Sequence, residues 1–326
     1  MAFARLAEAA TPAARIGLGL AAVGRPGYIT LGRDRDLDLP DARTVDAMRE
    51  RAHALLDEAY AGGVRYVDAA RSYGRSEEFL ADWLRSRPDT GDVVVGSKWG
   101  YTYTAGWRVD ADVHEVKDHS LATYDRQRAE TAEILGTRLD LYQIHSVTTD
   151  TPALSDRALH ERLARLADEG VTVGLTTSGP AQADAIRAAL GVTVDGEPLF
   201  RTVQATYNLL ETSAGPALAE AHEAGLTVIV KEAVANGRLA AAEAAPAEVA
   251  AIARESGVGC DALALAAVLA RPWAGVVLSG AATTGQLSSN LAAASIALDE
   301  GHLVRLEALA EEPGAYWRHR SALPWQ

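Results

Sequence analysis

Four side chains that can carry or steer a proton follow three short apolar runs in the first half of the chain. In RYVDAARSYGRSE, residues 65–77, Asp68 ends one run and Tyr73 follows in the next loop. DVVVGSKWG places Lys98 just after Val93-Val94-Val95, and LDLYQIHS places His145 just after Leu141–Ile144. A lysine beside a tyrosine favours the phenolate, and a carboxylate can hold that lysine in place. A tyrosine in such company can donate a proton to a carbonyl oxygen or take one from an alcohol. That is the acid–base half of a hydride transfer; the other half needs a carrier, because side chains do not supply hydride.

Reactive groups at the ends of several strands need a scaffold that gathers those ends on one rim. The start of ARIGLGLAAVG and the apolar runs Val64–Val67, Val93–Gly96, Asp140–Ile144, Val171–Leu175, Phe200–Gln204, Thr227–Val230 and Ala274–Leu278 read as strands. Helical patterns separate them: Thr44–Ala61, Ser76–Arg85, Asp125–Leu135, Leu154–Asp168, Pro180–Leu190, Ala214–Ala224, the pair Pro246–Arg254 and Asp261–Leu269, and Thr284–Ala293. Ser76 is the expected cap of its helix. Eight strand–helix repeats predict an α/β fold, a TIM (β/α)8 barrel with long rim loops and one added C-terminal helix, Glu300–Ala310. GLGLAAVG after the first strand lacks the dinucleotide fingerprint spacing, which argues against an open doubly wound sheet.

Size and composition agree with this reading. The 326 residues suit a single domain, with a core of about 15–310, and the 48% apolar content can fill a large barrel. A net charge of −13 argues against nucleic acid or an acidic membrane as partner. One cysteine, Cys260, excludes an internal disulfide, and its apolar helical setting marks it as core. No long apolar run suggests a membrane span, so a cytoplasmic enzyme is expected. His114, His119 and His145 show no zinc-ligand spacing, and no metal is expected. Oligomeric state is not legible.

The pieces VDAARSYGRSEE, VVVGSKWG, LDLYQIHS, VQATYNLL and GAATTGQLSSN resemble the aldo-keto reductases, over roughly Arg15 to Leu309. The resemblance implies an NAD(P)-dependent oxidoreductase whose catalytic tetrad maps onto Asp68, Tyr73, Lys98 and His145. It also implies that Gln204 holds the nicotinamide amide and that Tyr207 stacks on the ring, the alternative for Tyr207 being a core-edge aromatic. Thr176 and Thr177 stand where the family usually has Ser-Asn around that amide. Asn290 matches the asparagine that binds adenine. Lys231, after the seventh strand, can reach the pyrophosphate or pair with Glu232.

The stretch Gly280, Ala281, Ala282, Thr283 opens the last barrel helix, whose free amides favour phosphate. Relatives that prefer the phosphorylated cofactor carry Lys or Arg in this patch. Here Gly280, Ala281, Ala282, Thr283 and Gln286 are neutral, so NAD is expected rather than NADP unless Arg238 or another base compensates.

Substrate contacts are sought in the rim loops. Arg25, Tyr28 and Ile29 either edge the pocket or order their own loop. The long segment 99–123 offers Trp99, Tyr101 and Trp107 as an apolar wall. Such a wall suits a small aldehyde, ketone, sugar or alcohol as the substrate. Two other readings stay open: a cofactor-binding regulatory subunit with little turnover, and a lyase or isomerase forming a Schiff base at Lys98.

Overall fold

The computed structural model describes Leu6, residues 11–37 and residues 41–326. Eight strands close into one parallel barrel in chain order: β1 (Ile16–Gly19), β2 (Tyr66–Asp68), β3 (Val94–Trp99), β4 (Leu141–Val147), β5 (Thr172–Thr177), β6 (Thr202–Thr206), β7 (Thr227–Lys231) and β8 (Val276–Ser279). Closure is made by β8 pairing with β1, Gly17 opposite Leu278. Helices cover the outside, from Val45–Ala61 after β1 to Thr284–Ala292 after β8. Thr44, Ser120, Asp156 and Thr283 cap four of them through their side-chain oxygens.

Side chains alternate along a strand, so parity decides which enter the barrel. Tyr66, Val94, Leu141, Ile229, Val276 and Leu278 form one small interior cluster with Leu6. Val67, Val95, Tyr142, Ile144, Val203 and Val230 belong to the larger core between strands and helices. Counting on in steps of two from the interior residues reaches Asp68 from Tyr66, Lys98 from Val94, and Gln143 and His145 from Leu141. The polar groups therefore stand one layer above an apolar plug. Gly96 makes room for that plug: a Cβ there would lie 2.5 Å from the Tyr66 hydroxyl.

Three local expectations change. Ser76 lies inside its helix, Ser76–Ser86, and its hydroxyl instead donates to Ala70 O at 3.1 Å, pinning the loop that carries Tyr73. The segment after β3 is no open loop; Tyr101–Tyr103 and Glu115–Lys117 pair as an antiparallel hairpin over the rim. Two C-terminal helices follow the barrel, Glu300–Glu307 and Pro313–Ser321. The second has no apolar periodicity of its own and is held by Tyr316 and Trp317, which join a core with Leu263 and Ala267. None of the described helices is long and apolar enough to cross a membrane.

Candidate active site

The four proton-handling groups meet at the upper end of the barrel. Lys98 is fully buried and its ammonium forms a very short hydrogen bond to Asp68 Oδ2 and a second, at 2.9 Å, to Ala69 O. Asp68 Oδ1 accepts from the Tyr66 hydroxyl at 2.9 Å and from Gln204 Nε2 at 3.1 Å. Tyr73 covers this pair, with the Lys98 ammonium 4.6 Å from its ring centre. The Tyr73 hydroxyl lies 3.5 Å from His145 Nε2.

Electrostatics follow from that burial. Burial of Tyr73, joined by the Asp68 charge, pushes its phenol well above the usual tyrosine value. Burial, the larger cause, outweighs the lowering expected from Lys98. Burial also lowers Lys98, against the pull of Asp68. The His145 imidazole is driven well below its usual value by burial and then by Lys98, so it is neutral at pH 7. Its backbone is fixed from two sides: His119 Nε2 donates to His145 O at 2.8 Å, and Ser146 N donates to Thr176 Oγ1 at 2.7 Å. Burial holds His119 at about 4.

Beside Tyr73 runs a cleft of about 90 Å³ lined by Gly19, Ala22, Tyr28, Gln204, Lys231 and Gly280. It shares Ala22, Thr30, Val234 and Gly280 with a second cleft of about 460 Å³ that runs to Ala281, Ala282, Gln286 and Asn290. Small side chains form the trough, and a Cβ added at Gly280 would meet nothing within 4 Å. A long trough of glycine and alanine with amides at both ends fits a dinucleotide. Lys231 donates to Thr206 Oγ1 at 2.9 Å, and burial lowers its amine to about 8. Glu232 is clasped by Arg320 Nε at 2.9 and 3.0 Å. Burial works to raise Glu232, but Arg320 and Lys231 prevail and hold it at about 2.

Several sequence candidates lie elsewhere, Tyr207 and Trp99 by parity and the others through the partners they engage or their burial. Tyr207 points outward and packs edge-on against Trp273, with ring centres 4.8 Å apart, so it does not line the cleft. Trp99, one residue past inward Lys98, is fully buried against Tyr124 and His119 rather than walling a pocket. Trp107 packs on Phe79 and donates to Arg43 O, away from Tyr73. Thr177 is fully buried, with its hydroxyl unpartnered among the described residues. Arg238 pairs closely with Glu311, so it is no free base for a phosphate. Thr283 is spent on capping its helix through Gln286 N. Tyr101 stays by the site, its ring 5.0 Å from that of His145.

Trp325 and Gln326, not singled out from the sequence, complete the rim beside Arg25 and Tyr28. Trp325 stacks on His114 with ring centres 3.9 Å apart, and Gln326 exchanges two backbone hydrogen bonds with Tyr28. Arg25, 4.7 Å from the Trp325 ring centre, bonds Ser72 O and Glu115 at 2.8 Å each. On the other cleft stand Thr30, Arg35, Asp36 and Asp261. Of these, only the charge density of GRDRDLDLPD offered a signal in the sequence.

A closed parallel barrel with Asp68, Lys98, Tyr73 and His145 gathered at its rim beside a long cleft has the architecture of a barrel oxidoreductase. The chain belongs to the aldo/keto reductase family, whose sequence profile matches residues 42–311. It is similar to the aldo-keto reductase str7 of Strobilurus tenacellus, 24% identical over 291 residues that span 79% of this chain and 80% of that protein. It is 25% identical over 311 residues to the protein tas of Escherichia coli, spanning 79% of this chain and 88% of that one. The fold matches that of an aldo-keto reductase from Bacillus halodurans solved in its holo form. The TM-score is 0.69 at 22% identity, over 91% of this chain and 92% of the other. The protein is thus an NAD(P)-dependent oxidoreductase.

Proposed function

We propose that the protein interconverts a small carbonyl compound and its alcohol, with Tyr73 as the acid–base group and NAD as the preferred cofactor. The observation that carries this reading is the buried Lys98–Asp68 pair beneath Tyr73, with His145 Nε2 3.5 Å from the phenol, at one end of the trough. The cofactor, when bound, supplies or receives hydride at the carbonyl carbon. The chain's own part is the proton. The raised Tyr73 keeps its proton at neutral pH and gives it to the carbonyl oxygen during reduction. Neutral His145 can hydrogen-bond the same oxygen, and the hairpin 101–117 with Tyr28 and Tyr101 shapes the substrate space. Gln204, Lys231, Gly280, Ala281, Ala282, Gln286 and Asn290 are the residues that would hold the cofactor.

NAD is favoured because Gly280, Ala281, Ala282 and Gln286 give a 2′-phosphate no charged fork, and Arg238 is engaged by Glu311. A Schiff base at Lys98 is disfavoured, because its amine is buried, ion-paired and covered by Tyr73. Fluorescence titration with NADH and NADPH on wild type and Ala282→Arg, followed by a panel of aldehydes, ketones and sugars, tests the reading. NADH should bind wild type at least about tenfold tighter, a gap of about 1.4 kcal/mol. Turnover of no carbonyl or alcohol despite tight NADH binding would favour a regulatory subunit instead.

A further inference from the structure

We infer that Asp36 selects the cofactor, by accepting a hydrogen bond from the ribose 2′-hydroxyl of NAD and repelling the 2′-phosphate of NADP. The inference rests on the reading of the trough as a dinucleotide site and adds a specificity residue that no neutral patch supplies. Lack of a base merely fails to attract a phosphate. A carboxylate in the same place acts against it.

The geometry is specific. Asp36 ends the helical turn Arg33–Asp36, in the connection that follows β1. Its Oδ2 accepts from Gln286 Nε2 at 3.0 Å, across 250 residues of sequence. Gln286 Oε1 in turn accepts from Ala282 N at 2.9 Å. Asp36 is therefore tied to the neutral patch itself, on the wall of the cleft that reaches Asn290.

The segment carrying Asp36 is anchored, so the carboxylate is held in place. Leu31 N donates to Asn236 O and Asn236 Nδ2 donates to Ile29 O, both at 2.9 Å. Gly237 lies against this crossing at φ +94°, and a Cβ there would sit 2.9 Å from Leu31 O. Arg33 is fully buried and donates to Arg25 O at 2.9 Å.

The cleft around it is acidic. Its charged lining residues are Arg35, Asp36 and Asp261, one positive and two negative, a net charge of −1. Asp261 Oδ2 accepts from Asn290 Nδ2 at 2.8 Å, while Asn290 Oδ1 accepts from Ser279 Oγ at 2.7 Å. A 2′-phosphate would add up to two further negative charges within this wall, whereas a 2′-hydroxyl donates to it. Arg35 is the one lining base, and it is exposed.

Fluorescence titration of the full chain with NADH and NADPH, on wild type, Asp36→Asn, Gln286→Arg and the double variant, tests this, with melting curves to check folding. Asp36→Asn should narrow the NADH preference about tenfold, mainly by tightening NADPH. Gln286→Arg alone should shift the preference only a few-fold, because the new guanidinium pairs with Asp36. The double variant should shift it by about a hundredfold, more than the two singles combined. If Asp36→Asn melts early, Asp36→Ser carries the same expectation. NADH binding with a preference unchanged by Asp36→Asn and Asp36→Ser overturns the inference and leaves the oxidoreductase reading intact. So does a wild-type preference for NADPH that Arg35→Ala abolishes. Binding of neither nucleotide overturns both.

Discussion

At the Tyr73 end of the trough the charges are sunk in the barrel and satisfied from strands; at the Asn290 end they stand on loops and helix starts. Lys98 and Asp68 are 0% and 2% exposed, and their partners Tyr66, Gln204 and Ala69 all belong to strands or their immediate ends. Asp36 and Asp261 are part-exposed and bonded to amides of the last barrel helix. The contrast teaches where each kind of chemistry is stored. Proton transfer needs desolvated groups held rigidly, and a strand interior provides that. Discrimination between two cofactors needs one charge placed against one phosphate, and a loop suffices.

The contrast can be broken first at Tyr73. Tyr73→Phe keeps the ring and removes the proton, so turnover in both directions should fall about 10³-fold. NADH affinity should stay within about threefold, as read by titration against steady-state rates. A variant that retained a tenth of wild-type turnover would put the acid–base role elsewhere. In wild type the raised phenol predicts reduction rates flat across neutral pH, with oxidation rates climbing as pH rises.

The second test compares the two carboxylates by stability. Asp68→Asn leaves the Lys98 ammonium buried without a counter-charge, and denaturant unfolding should show a loss of about 3–5 kcal/mol. Asp261→Asn removes a part-exposed charge bonded to neutral groups and should cost about 1 kcal/mol or less. Equal losses would show that both ends are built alike.

A third test concerns His119, which braces His145 from the hairpin side. Its folded value of about 4 lies below the unfolded one near 6.5. Its contribution is therefore complete above pH 6.5 and is lost as pH falls toward 4, since only the unfolded chain takes up the proton. The loss amounts to about 3 kcal/mol at most. His119→Phe should flatten the acid limb of the stability profile relative to wild type. Parallel limbs would show that water reaches the ring.

Much of the Tyr73 end was legible in the sequence because strand ends are local events. A run such as Val93-Val94-Val95 marks the strand, and the residue just past it must sit at the rim. Facing was harder to read, and that is where Trp99 and Tyr207 went astray: each is one residue out of step with an inward neighbour, Lys98 or Thr206. The hairpin after β3 was hidden because its strands are short and half-exposed. The helix Pro313–Ser321 was hidden because its stability comes from burying Tyr316 and Trp317 rather than from a pattern of its own.

By itself the sequence determined the order of eight strands and helices, the positions of Asp68, Tyr73, Lys98 and His145, and the neutrality of the patch 280–286. These follow from periodicity and residue type, which are properties of neighbouring positions. Tertiary structure alone decided that Lys98 pairs with Asp68 beneath a buried Tyr73, that Glu311 engages Arg238, and that Asp36 reaches Gln286. Each depends on a contact between residues 30 to 250 positions apart, and a charge acts through space on whatever the closed barrel brings beside it.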